Sequence, residues 1–170
     1  MPITSMSASS CARASSAAEA RFRIDAPIAP VRAARIVALD DGAAGVGRRA
    51  AGQPWARATF FVCEAAGPGA GSVADPADSV LLRGIDGSPA VLSEQLTDAD
   101  VVVMIATQDV GAQCALVIGR ACAARGIMTA GLVLGYDSDD AVAALRPHAR
   151  VLLHSADEGD VVDLLTALRA

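Results

Sequence analysis

Apolar positions in this chain gather into short continuous runs, and between the runs apolar residues recur at helical spacing. RIVAL (35–39) reads as a strand covered on both faces, followed by a glycine-bearing turn and a short helix to about Ala51, which GQPW ends. ATFFVCE (58–64) is a second strand, AAGPGAGSVADPAD (65–78) a loop by composition, and SVLLRG (79–84) a weak third strand. SPAVLSEQL (88–96) predicts a short helix capped by Ser88 with Pro89 in its first turn.

The second half is sharper. ADVVVMIA (99–106) has the β-branched continuity of a central strand. Residues 110–125 form a helix that Gly126 should close, and IMTAGLVLG (127–135) is the next strand. SDDAVAALRPHA predicts a helix capped by Ser138 or Asp139 and stopped by Pro147, before a last strand, RVLLH (150–154), and the amphipathic EGDVVDLLTALRA. Strands alternating with helices define an α/β protein with a doubly wound, mostly parallel sheet in a three-layer Rossmann-like arrangement. The expected organisation is a disordered Ser/Ala-rich tail (1–20), an extended Pro-interrupted segment (21–34) and one domain (35–170). In such sheets ligands sit beyond the carboxyl ends of the strands where strand order reverses, which here joins the turn at 40–47 to the loop at 107–111.

Composition narrows the chemistry. Hydrophobic residues make up 53% of the 170 residues but aromatics only 3%, so the core must be built from Ala, Val and Leu. VVVMIA (101–106) is the longest apolar run, far below the roughly 18 residues a bilayer span needs, so no membrane partner is expected. The tail lacks the continuous apolar stretch of a secretory signal. A net charge of −5 without an arginine cluster argues against nucleic acid. Every basic residue other than histidine is arginine; the absence of lysine removes P-loop, protein-kinase, Schiff-base and Tyr/Lys relay chemistries. Cys11, Cys63, Cys114 and Cys122 form no CxxC pair and have no histidine at zinc spacing; Cys63, Cys114 and Cys122 fall in strand and helix patterns where Cys packs as a small hydrophobe, and reduced thiols in a cytoplasmic protein are expected.

The turn ALDDGAAGVGRRAAG (38–52) carries the candidate chemistry. Gly42, Gly45 and Gly47 follow a strand and precede a helix, where glycines let backbone N–H groups approach phosphate and the helix dipole favours an anion. Glu64 ends the second strand, 22 residues after Gly42, where a dinucleotide site places an acid for ribose hydroxyls. Asp40 and Asp41 enter the same turn and would repel that anion.

DADVVVMIATQDVGAQCALVIGRACAARGIMTAGLVLG (98–135) resembles the central segment of FtsZ, the bacterial tubulin-like division GTPase, in its acidic pair, Val-rich strand, Ala-rich helix and following RGIMTAGLV strand. LRPHARVLLHSADEGDVVDLL (145–165) is similar to that family's next strand and helix, and RIVALDDGAAGVGRRA falls on its first glycine loop, so the resemblance covers about residues 35–165. It implies a nucleotide-binding fold with an ancestral GTP/GDP site: Gly42, Ala43, Ala44, Gly45 and Gly47 along the phosphates, Thr107 and Gly111 opposite. The family's glycine–threonine loop is replaced here by TQDVGAQ (107–113), which retains Gly111, and Asp109 is expected to cap the helix with a carboxylate in the phosphate position. The acidic loop that completes hydrolysis in the family lies in a second domain that these residues do not include. The resemblance therefore implies a degenerate binding or regulatory module with little or no GTP hydrolysis.

Two further readings use the same residues. An NAD(P)-binding subunit of an oxidoreductase would place Glu64 on the ribose, and a non-catalytic interaction protein would have no cofactor, with a protein partner or a homo-oligomer instead. Other groupings have simpler readings. YDSDD (136–140) could hold Mg²⁺ but fits a capped helix start. His154, Ser155 and Asp157 make a triad on paper only, because consecutive strand residues point to opposite faces. His148 beside Pro147 suits a helix end, Cys114 and Cys122 pack on one helix face, and Trp55 is a core anchor that could also stack a base.

Overall fold

The computed structural model describes residues 30–66, 75–136 and 138–170. The predicted tail, Cys11, Asp137 and most of the segment 21–34 lie outside them. The described chain runs β1 (Ala34–Ala38), α1 (Asp41–Ala50), β2 (Ala58–Ala66), a 3-10 turn (Pro76–Ser79), β3 (Val80–Gly84), β4 (Pro89–Val91) and α2 (Leu92–Leu96). It continues through β5 (Val101–Ala106), a 3-10 turn (Asp109–Gly111), α3 (Ala112–Arg125), β6 (Met128–Leu134), α4 (Asp139–Leu145), β7 (Val151–Ala156) and α5 (Glu158–Leu168).

The seven strands form one sheet in the order β4-β3-β2-β1-β5-β6-β7. Five of them, β2 through β7 across β1, β5 and β6, are parallel, while β3 and β4 pair antiparallel at one side. The α/β, doubly wound and mostly parallel expectation holds. From β1 the chain moves one way to β2, and from β5 the other way to β6 and β7, so the order reverses between β1 and β5.

Alternation along the central strands sends side chains into two cores, one per face. Val102, Met104 and Ala106 of β5 join Val37, Ile118, Cys122 and Leu145 beneath α3 and α4. Val101, Val103 and Ile105 join Ile36, Val46, Val161 and Leu165 beneath α1 and α5. All six β5 side chains are fully buried, which is why that strand is unbroken aliphatic sequence. Gly126 ends α3 in the left-handed conformation (φ 67°) that its sequence position predicts.

Two local readings change. The helix expected over 88–96 is a short strand, β4, followed by a five-residue helix, α2, that starts only at Leu92. Asp86 accepts from the Ser88 N–H (3.0 Å) and hydroxyl (2.6 Å), and Gly87 (φ 88°) turns the chain so that Ala90 pairs with Leu82. Ser88 therefore belongs to a hairpin turn, and tertiary pairing overrides a Ser-Pro helix signal. The last strand also runs later than expected, to Ala156.

Candidate functional site

The glycine turn is part of α1 itself. The helix begins at Asp41, with Asp40 as an extended N-cap (φ −150°, ψ 173°), so Gly42, Gly45 and Gly47 are helical residues rather than a loop around phosphate. None of the three takes positive φ.

Asp40 is the organising residue, and it is buried. Its Oδ1 accepts the Ala43 N–H at 2.8 Å, the N-cap bond that α1 requires. Its Oδ2 accepts the N–H groups of Thr107 at 2.7 Å and Gln108 at 3.1 Å, and the Thr107 hydroxyl donates to Oδ1 at 2.5 Å. Four donors from the start of α1 and the end of β5 thus converge on one carboxylate at the point where strand order reverses. Backbone N–H groups at a helix N-terminus beside a strand end are the donor set that holds phosphate in nucleotide-binding sheets. Here the chain supplies the anion.

Gly42 has a steric reason to be glycine: a Cβ there would run into the Thr107 hydroxyl and lie 3.3 Å from Asp40 Oδ1. A Cβ at Gly47 would meet nothing within 4 Å, and one at Gly45 would touch only the Arg49 guanidinium. Gly111 is needed because its Cβ would stand 2.5 Å from Leu39 Cβ and 2.6 Å from the Leu39 carbonyl oxygen. Ala43 and Ala44 are buried against the α1 core. The structure thus sets Gly42 against Thr107 and Gly111 against Leu39, with contacts made within the protein.

A third loop joins this lacing. Buried Ser138, expected to cap α4, makes no side-chain cap bond; its hydroxyl donates to the Thr107 carbonyl at 3.1 Å. Asp109, expected to cap its own helix, accepts the Ala141 N–H of α4 at 2.9 Å instead. The ends of β1, β5 and β6 are therefore tied through Asp40, Thr107, Asp109 and Ser138. Asp40 as an acceptor is legible in principle from an aspartate just before a helical run, whereas its partners on the β5 loop are not.

Beside this plug lies an open crevice of about 350 Å³ between the ends of β1 and β2 and the start of α3, lined by Leu39, Asp40, Asp41, Cys63, Glu64, Val110, Gln113 and Cys114. Glu64 does not end β2, which runs on to Ala66; it lines the crevice and receives Arg83 Nε at 2.5 Å. Val110 is 75% exposed at its rim. On its floor the Cys63 and Cys114 sulfurs are 2.7 Å apart, a contact the sequence reading missed by packing Cys114 with Cys122. The hydrogen bond to Cys114, and then burial, hold the Cys63 thiol well above the usual thiol range; burial pushes Cys122 up to about 12. A second concavity of about 320 Å³ lies where β2 begins, beside Trp55, Phe60 and Ile85, away from the switch point.

The remaining candidates have structural roles. Trp55 donates Nε1–H to the Ala50 carbonyl at 2.8 Å and packs on the α1 core. Asp139 and Asp140 occupy the first turn of α4. Asp157 caps α5 in a reciprocal box with Asp160, while His154 is exposed on the edge strand. His148 lies over Gly119, whose absent side chain leaves room for the imidazole. Among the described residues no three His, Cys, Asp or Glu side chains gather as a metal site, and no helix is long and apolar enough to cross a membrane. Comparison of the chain with family models, curated proteins and solved structures gave no match, so the likeness to FtsZ rests on the residues quoted above.

Proposed function

We propose that this chain is a non-catalytic interaction or regulatory module built on a degenerate nucleotide-binding fold of the FtsZ/tubulin kind, acting through a protein partner or a second copy in the cytoplasm. The observation that carries this reading is the Asp40 carboxylate on the Ala43, Thr107 and Gln108 N–H groups. A GTP or GDP phosphate at this position would have to displace a carboxylate that already satisfies those donors, and it would meet Asp41 at the entrance. An NAD(P) ribose would have to share Glu64 with Arg83. Both ligands compete with interactions the folded chain already makes.

Thermal melting of the wild type and Asp40→Ala with GTP, GDP, NAD and NADP, with and without Mg²⁺, tests the proposal. A ligand at 100 times its dissociation constant adds about 2.7 kcal/mol, a readily measured shift. The expected result is no shift for the wild type and a phosphate-dependent shift for Asp40→Ala. A guanine-selective shift of the wild type would restore the nucleotide-binding reading, and a dinucleotide shift the oxidoreductase one.

A further inference from the structure

We propose that Cys63 and Cys114 are a reversible dithiol–disulfide pair that fastens the end of β2 to the first turn of α3 across the floor of the switch-point crevice. The two sulfurs are 2.7 Å apart although the residues are 51 positions apart in sequence, so the fold and not local chain geometry brings them together. Only a small further approach separates that contact from the roughly 2.05 Å of a covalent S–S bond.

Access is unequal in a way that suits stepwise exchange. Cys63 is buried, whereas Cys114 is half-buried, and both line a crevice open to solvent beside exposed Val110 and Gln113. A small disulfide such as oxidised glutathione meets Cys114 first. The Cys114 thiolate attacks one glutathione sulfur, a mixed disulfide forms, and the first glutathione leaves as thiolate and takes up a proton. Cys63 then gives up its proton and attacks Cys114 Sγ, expelling the second glutathione. Two protein thiols and one glutathione disulfide become one protein disulfide and two glutathione thiols. Cys122, two turns further along α3, is fully buried in the core and serves as the internal control. Burial disfavours the Cys63 thiolate, so closure is the slower of the two steps near neutral pH. The pair acts whether or not any nucleotide binds.

The test equilibrates the full chain in glutathione buffers from fully reduced to fully oxidised, traps remaining thiols by alkylation and maps the peptides by mass. The expected result is a Cys63–Cys114 linkage lighter by two hydrogens, Cys122 still alkylated, reversal by dithiothreitol, and a melting temperature several degrees higher when oxidised. Cys122→Ser should leave the linkage intact, and Cys63→Ser should stop at a glutathione adduct on Cys114. A glutathione adduct on wild-type Cys114 without closure, a bond to Cys11 or to another chain, or no loss of thiols would each overturn the proposal. Wild-type mapping decides the matter even if a variant fails to fold.

Discussion

The Asp40 carboxylate holds Thr107 twice, through the backbone N–H at 2.7 Å and the hydroxyl at 2.5 Å, joining two strand ends that are 67 residues apart in sequence. Because Asp40 also caps α1 and Thr107 also accepts from Ser138, this contact couples a helix start to three neighbouring strand ends. Removing it should be felt globally. Asp40→Ala removes the acceptor of the buried Ala43 N–H and of the part-buried Thr107 and Gln108 donors, which water can partly re-satisfy, and should destabilise the fold by about 3 kcal/mol, the worth of one to two bonds to a charged group at about 1.5–3 kcal/mol each. At this chain length that lowers the melting temperature by roughly 6–12 °C. A change below one degree would show that Asp40 is not structural.

The helical glycines should separate by mutation. Gly42→Ala forces the Thr107 hydroxyl aside and is expected to destabilise despite alanine's higher helix propensity. Gly47→Ala fills open space within the same helix and should stabilise by up to about 1 kcal/mol. Chemical denaturation of the two variants checks the order, and equal losses would point to a shared role for both glycines.

Gly111→Ala should be worse than either. The added carbon meets the Leu39 carbonyl as well as its side chain, and backbone yields little. Overpacking of this kind costs about 1–3 kcal/mol, and here it also pushes the start of α3 off the end of β1. Denaturant midpoints should rank Gly111→Ala below Gly42→Ala, and the reverse order would contradict the close approach.

Stability should fall at both ends of the pH scale for different reasons. Asp75 is held low by the Ala77 N–H and then by Arg125, Asp86 by the Ser88 hydroxyl, and Glu158 by the Arg49 guanidinium. Their contribution is present above the ordinary carboxyl range and is lost as pH falls below about 4 through the lowered values. Cys63 and Cys122 are raised, so above the ordinary thiol range the unfolded chain sheds protons that the folded chain keeps. Stability then declines with rising pH by about 1.4 kcal/mol per pH unit for each such thiol. Urea midpoints under reducing conditions between about pH 8 and 11 should slope downward, and Cys122→Ala should flatten the slope.

Much of the architecture was legible because it rests on local pattern. The aliphatic run at 101–106 becomes the fully buried central strand, and Gly126 closes α3. The hairpin was obscured by its own turn: Ser88 and Pro89 mimic a helix start, and pairing of Leu81–Arg83 with Pro89–Val91 decides otherwise. The site was legible as a place but not as a chemistry. Glycine spacing identifies a helix N-terminus at a strand end, but the anion occupying it depends on Thr107 and Gln108, contacts with no local signature. The same holds for Cys63 and Cys114, whose meeting depends on α3 packing across β2.

The two cores beneath the opposite faces of the sheet differ in their natural spectroscopic probes. The chain's single indole, Trp55, packs on the layer formed by α1 and α5, whereas Cys63, Cys114 and Cys122 all belong to the layer formed by α3 and α4. Fluorescence emission therefore follows one face, and the reactivity of these three thiols the other. Loosening of either layer ahead of the other can be timed in the unlabelled protein, with the sheet as the partition between the two signals.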